Sequence, residues 1–115
     1  MSGKKARVKA NYASSSFDPL IFRKGESVVT TYESEDWPGW IWCINNDGKN
    51  GWAPISYLEI SEDSAKALRD YSAAELTVRE GDELIVLEEE SGWCWCEYSD
   101  GEKGWVPEEI LRILE

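Results

Sequence analysis

Apolar and polar positions alternate over short stretches of this chain. Ser27–Tyr32 (SVVTTY), Trp40–Ile44 (WIWCI) and Glu83–Leu87 (ELIVL) are rich in β-branched and aromatic side chains, and the spacing predicts strands. Asp47-Gly48 and Asp100-Gly101 are turn dipeptides that separate the later strands. No segment keeps a helical period over three turns. The strongest helical candidate is Pro107–Leu114, with proline and acids where a helix starts. Its match to Pro54–Ile60 predicts instead one tight turn followed by a short strand.

That match belongs to an internal repeat. Gly39-Trp40-Ile41-Trp42-Cys43 corresponds to Gly92-Trp93-Cys94-Trp95-Cys96, and Gly51-Trp52-Ala53-Pro54 to Gly104-Trp105-Val106-Pro107, both at an offset of 53. Arg23-Lys24-Gly25-Glu26 corresponds to Arg79-Glu80-Gly81-Asp82 at 56, and Tyr12 to Tyr71 at 59. Two three-residue deletions in the second copy, both in predicted loops, account for the steps. The repeat divides the chain into residues 1–60 and 65–115, with Ser61-Glu62-Asp63-Ser64 as the linker. Domains of this size fold alone only with well-chosen apolar burial.

These residues resemble the Src-homology-3 family. Its opening Ala-Leu-Tyr-Asp-Tyr strand is matched by Val8-Lys9-Ala10-Asn11-Tyr12 and by Ala67-Leu68-Arg69-Asp70-Tyr71. Gly25-Glu26 and Gly81-Asp82, the two Gly-Trp starts and the two Gly-aromatic-x-Pro steps follow in order. The resemblance implies an all-β fold of two small five-stranded barrels in tandem. With the alternation, it places Val8, Leu20, Phe22, Val28, Cys43, Ala53 and Leu58 in the first core. The second core takes Ala67, Leu76, Val78, Leu84, Val86, Cys96, Val106 and Leu111.

The resemblance also implies a non-catalytic protein-interaction module that binds proline-containing peptides in the polyproline II conformation. Aromatic ridges form slots for the prolines, and the preformed helix loses little entropy on binding. In the first copy the matching groove residues are Tyr12, Trp40, Pro54 and Tyr57, with Ala10 where a further tyrosine is usual. Trp40 and Trp52 are expected to flank a pocket for a ligand cation, worth about 0.5–2 kcal/mol between two indoles. The assisting acids would be Asp18, Glu33, Glu35 and Asp36. Phe17 and Pro19 stand in the first long loop where acids are more usual, and Trp37-Pro38 is added before Trp40. In the second copy Tyr71, Trp93, Trp105 and Pro107 match, while Arg69 and Ile110 replace groove tyrosines. Its first loop is short, and the acidic run Glu88-Glu89-Glu90 precedes Trp93. Binding is therefore expected mainly through the first barrel. The alternatives are a structural or self-associating pair with buried grooves, or a domain for a non-protein, cell-wall type of ligand.

Composition narrows the choice. Seven tryptophans fit a binding surface. The formal net charge of −11 arises wholly in residues 61–115, which hold five basic and sixteen acidic side chains. That disfavours nucleic acid and favours a basic or neutral partner. There is no histidine, no glycine-rich phosphate loop and no activated nucleophile, so an enzyme is not expected. Cys43, Cys94 and Cys96 lack the further ligands zinc needs, so no metal or other cofactor is expected. No apolar stretch follows the charged start Met-Ser-Gly-Lys-Lys-Ala-Arg, and none is long enough to span a membrane. A cytoplasmic protein with free thiols is expected.

Overall fold

A computed structural model describes residues 3–14 and 18–114. Phe17 lies outside the described residues. Twelve strands occur among them: β1 Lys4–Val8, β2 Ile21–Phe22, β3 Ser27–Glu33, β4 Trp40–Ile44, β5 Asn50–Pro54, β6 Leu58–Ser61, β7 Ser64–Ala67, β8 Tyr71–Ser72, β9 Glu83–Glu90, β10 Trp93–Glu97, β11 Lys103–Pro107 and β12 Leu111–Ile113. Single 3-10 turns at Ile55–Tyr57 and Glu108–Ile110 lead into β6 and β12. Each starts after a proline whose φ is already near −60°. The turn-then-strand reading of Pro107–Leu114 holds.

Both five-stranded sheets form, but not within the repeats. One runs β11-β10-β9-β1-β12 and the other β5-β4-β3-β7-β6. The first strand of each repeat thus completes the sheet of the other repeat. Lys4–Arg7 pair with Val86–Glu83 on one side, and Ala6–Val8 with Ile113–Leu111 on the other. Ser64–Ala67 take the equivalent place between β3 and β6. The chain accordingly separates into a split unit, Met1–Ser16 with Ala74–Glu115, and a continuous unit, Phe17–Ala73.

The sheets thus join residues across the division read from the repeat. Ser61–Ser64 is not a linker between barrels but the turn of a β6–β7 hairpin, with Ser61 and Ser64 paired and Glu62 at a φ of 59°. The Thr30 N–H donates to the Asp63 carbonyl at 2.9 Å, fixing the turn to β3. Two strands joined by two residues pair with each other before anything distant competes.

Every side chain assigned to the two cores is buried. Only membership changes, since Val8 lies in the split unit and Ala67 in the continuous one. The three cysteines are buried hydrophobes. Burial pushes the Cys43 thiol up to about 11 and those of Cys94 and Cys96 to about 12. Repulsion from Glu108 and Glu89 adds to the rise at Cys94. Reaction with a thiol-specific disulfide reagent at pH 8 is therefore expected to be at least about 100-fold slower in the folded protein than in denaturant, because thiolate and access are both withheld. Stopped-flow absorbance checks this.

Candidate peptide-binding grooves

In the split unit, Tyr12 is held by reciprocal backbone bonds with Val78 at 2.9 and 2.8 Å. Its ring meets the Trp93 indole edge-on, with centroids 6.1 Å apart at 75°. Its hydroxyl donates to Glu75 Oε1 at 2.8 Å. Loss of solvent, then the bond to Glu75 and that carboxylate's charge, push the phenol well above its usual 10. Tyr12 therefore remains a neutral donor across the working pH range.

Glu75 reaches this place because residues 74–76 cross β11 at Gly104. The Trp105 N–H donates to the Ala74 carbonyl at 2.9 Å, and the Leu76 N–H to the Trp105 carbonyl at 3.2 Å. A Cβ on Gly104 would lie 2.8 Å from the Leu76 nitrogen, so only glycine permits the crossing. Pro107 is buried opposite Trp93, and Ile110 is half-buried against the same core. Glu90 and Glu88 are the cross-strand partners of Trp93 and Trp95. Three carboxylates thus attend a row of two indoles and a phenol. Trp105 is buried and packs edge-on against Trp95 at 5.3 Å. At the far end of β10, the Tyr98 hydroxyl donates to Asp82. That bond holds the Asp82 carboxyl below its usual range. Burial first, then Asp82, push Tyr98 up to about 12.

In the continuous unit, Trp40 stands opposite Pro54, and Tyr57 follows on the 3-10 turn. The phenol beside them is Tyr71, not Tyr12. Tyr71 lies edge-on to Tyr57 at 5.6 Å and tilted against Phe22 at 5.2 Å, and its hydroxyl donates to the Trp52 carbonyl at 2.7 Å. The expected set of Tyr12 with Trp40 and Tyr57 is corrected accordingly, as is that of Tyr71 with Trp93. Strand exchange carries Tyr12 to the second repeat's Trp93 and Tyr71 to the first repeat's Tyr57.

This second groove is closed by its own side chains. The Arg69 guanidinium lies 4.1 Å from the Tyr57 ring centroid and covers one face of that ring. Trp40, Tyr57 and Tyr71 are 5%, 5% and 6% exposed. Asp18, an expected acid for a ligand cation, lies exposed and pairs with Lys49 at 3.0 Å. Glu35 and Asp36 are exposed in the turn before β4. Trp52 packs edge-on to Trp42 at 5.1 Å and to Tyr32 at 5.5 Å, forming an aromatic cluster on the outer face of the sheet.

Sequence reasoning missed Glu75. Its position just before the buried Leu76, where Pro19 precedes Leu20 in the first copy, was the available signal.

Two small β-barrels, one presenting a partly exposed phenol–indole row beside carboxylates, define a protein-interaction class of fold. The family described as variant SH3 domain matches residues 5–61 and again 65–114, and the chain belongs to the SH3 family. It is 28% identical over 98 residues to human Rho guanine nucleotide exchange factor 16, covering 80% of this chain and 13% of that protein. It is 39% identical over 56 residues to the myosin IB heavy chain of Dictyostelium discoideum, covering 45% of this chain and 5% of that one. The myosin ID heavy chain of the same organism is 37% identical over 73 residues, 61% of this chain and 6% of its own length. The chain thus spans a small fraction of these relatives. SH3 domains are protein-interaction modules, generally without catalytic activity.

Proposed function

We propose that the protein binds a proline-containing extended peptide carrying a basic residue, through the split unit. The observation that carries this is the Tyr12–Trp93 pair with Glu75 on the phenol. Both rings keep part of their surface in solvent, whereas the corresponding rings of the continuous unit do not. Prolines would stack along Tyr12, Pro107 and Trp93, with the indole N–H donating to a peptide carbonyl that has no donor of its own. A ligand Arg or Lys would meet Trp93 with Glu75 and Glu90 alongside. The continuous unit, its Tyr57 face taken by Arg69, serves as the structural member of the pair.

Tryptophan fluorescence during titration with proline-rich peptides, with and without a basic residue, tests the reading. Trp93→Ala is expected to weaken binding about 30-fold or more, as loss of a central indole does. Trp40→Ala is expected to change it less than about threefold. Absence of a response to any proline-rich peptide, or the reverse order of the two variants, would refute it.

A further inference from the structure

We propose that the crossing of the first strands is written into the side chains, so that the two repeats act as one recognition module whose grooves are each assembled from both. The short β6–β7 turn favours the crossing, but the bonds each first strand makes do not distinguish crossing from self-closure. Val8 and Ala67 make equivalent bonds: the Val8 N–H to the Asp82 carbonyl at 2.8 Å, and the Ala67 N–H to the Glu26 carbonyl at 2.8 Å. Side chains discriminate at three places.

The first is charge. Asp70 Oδ1 accepts the Lys24 N–H at 2.8 Å, in the turn Arg23-Lys24-Gly25-Glu26. At the equivalent site neutral Asn11 accepts the Glu80 N–H at 2.8 Å, in Arg79-Glu80-Gly81-Asp82. Self-closure would set the Asp70 carboxylate against Glu80 and Asp82, a like-charge contact. The second is the groove position. Arg69 finds the Tyr57 ring, whereas self-closure would turn it toward Ile110, which has no π-face. The third is volume. Val8 is buried in the unit of Val78 and half-buried Ile110, and the smaller Ala67 in that of Phe22 and Tyr57. Large meets small in both, as dense packing requires.

The consequence for recognition, which rests on the peptide-binding reading above, is that Ala10 and Tyr12 of the first repeat set the specificity of the second repeat's indole groove. No groove would survive intact on an isolated repeat.

The test uses the full chain and needs no ligand. Arg7 stands opposite Glu83, and Ser27 opposite Lys66. Oxidised R7C/E83C is expected to form an intrachain disulfide in a monomer, and R7C/S27C to form none. A bridge in the second variant, or one between two chains in the first, overturns the proposal. Asn11→Asp is expected to lower the melting midpoint by about 2–4 °C, and adding Glu80→Lys to restore it. A rise with Asn11→Asp alone, from meeting Lys24 instead, would equally overturn it. Failure of the peptide reading would appear only in fluorescence titration, where Tyr12→Ala should cost the split unit's groove about tenfold while the disulfide pattern stays unchanged.

Discussion

Replacing Gly104 by alanine is expected to be the most damaging small substitution in the split unit. The new Cβ would sit 2.8 Å from the Leu76 nitrogen, 2.9 Å from the Glu75 carbonyl carbon and 3.0 Å from Leu76 Cγ. Two of those atoms are backbone and cannot rotate away. Relief requires residues 75–76 to lift off β11, which breaks the bonds that flank the crossing. Overpacking against backbone costs about 2–4 kcal/mol. The same change at Gly51 meets Leu20 Cβ at 3.2 Å and Ala73 Cβ at 3.8 Å, contacts that a few tenths of an ångström relieve. Gly51→Ala is therefore expected to cost less than half as much. Urea unfolding of the two variants checks the order. Because the crossing places Glu75, any Gly104→Ala protein that still folds is also expected to bind peptide less well.

Phe22→Ala is expected to remove most of the stability of the continuous unit. Phe22 is 1% exposed and is the largest fully buried side chain among the described residues of that unit. It also supports Tyr71, both as a ring neighbour at 5.2 Å and as its β2–β8 strand partner. Truncating a buried Phe costs about 3–5 kcal/mol. A unit the length of Phe17–Ala73 holds about 3–9 kcal/mol in all. The variant should be partly unfolded at 25 °C, seen as lost dispersion in the methyl and indole NMR signals of residues 18–72. A loss below about 1 kcal/mol would mean that Phe22 is not the centre of that core. Val78, its counterpart in the split unit, is smaller, so Val78→Ala is expected to cost about 1–3 kcal/mol.

Much of the molecule was legible before any coordinates. Alternation around Val28, Leu84 and Val86 marked strands with one buried face, and the stepped repeat marked two copies of one fold. The two Gly-Trp and two Gly-aromatic-x-Pro steps pointed to the family that matches both halves of the chain. Less could be read of the grooves. Nothing local distinguishes an open aromatic face from one covered by an arginine, so the Arg69–Tyr57 contact was invisible. The pairing of Asp18 with Lys49 was not legible because Lys49 lies a hairpin away. Glu75 drew no notice because its role depends on a crossing that Gly104 permits.

The amino-acid pattern by itself determined the strands, the turns, the two cores and the family, because each follows from local alternation and residue size. Tertiary structure alone decided which first strand closes which sheet, and with it the pairing of Tyr12 with Trp93 and of Tyr71 with Tyr57. The physical reason is that β1 and β7 present the same apolar face and the same backbone bonds to either sheet. The choice rests on the two-residue turn that ties β7 to β6 and on small differences in charge and volume between residues far apart in the chain, and those differences act only once the sheets are assembled.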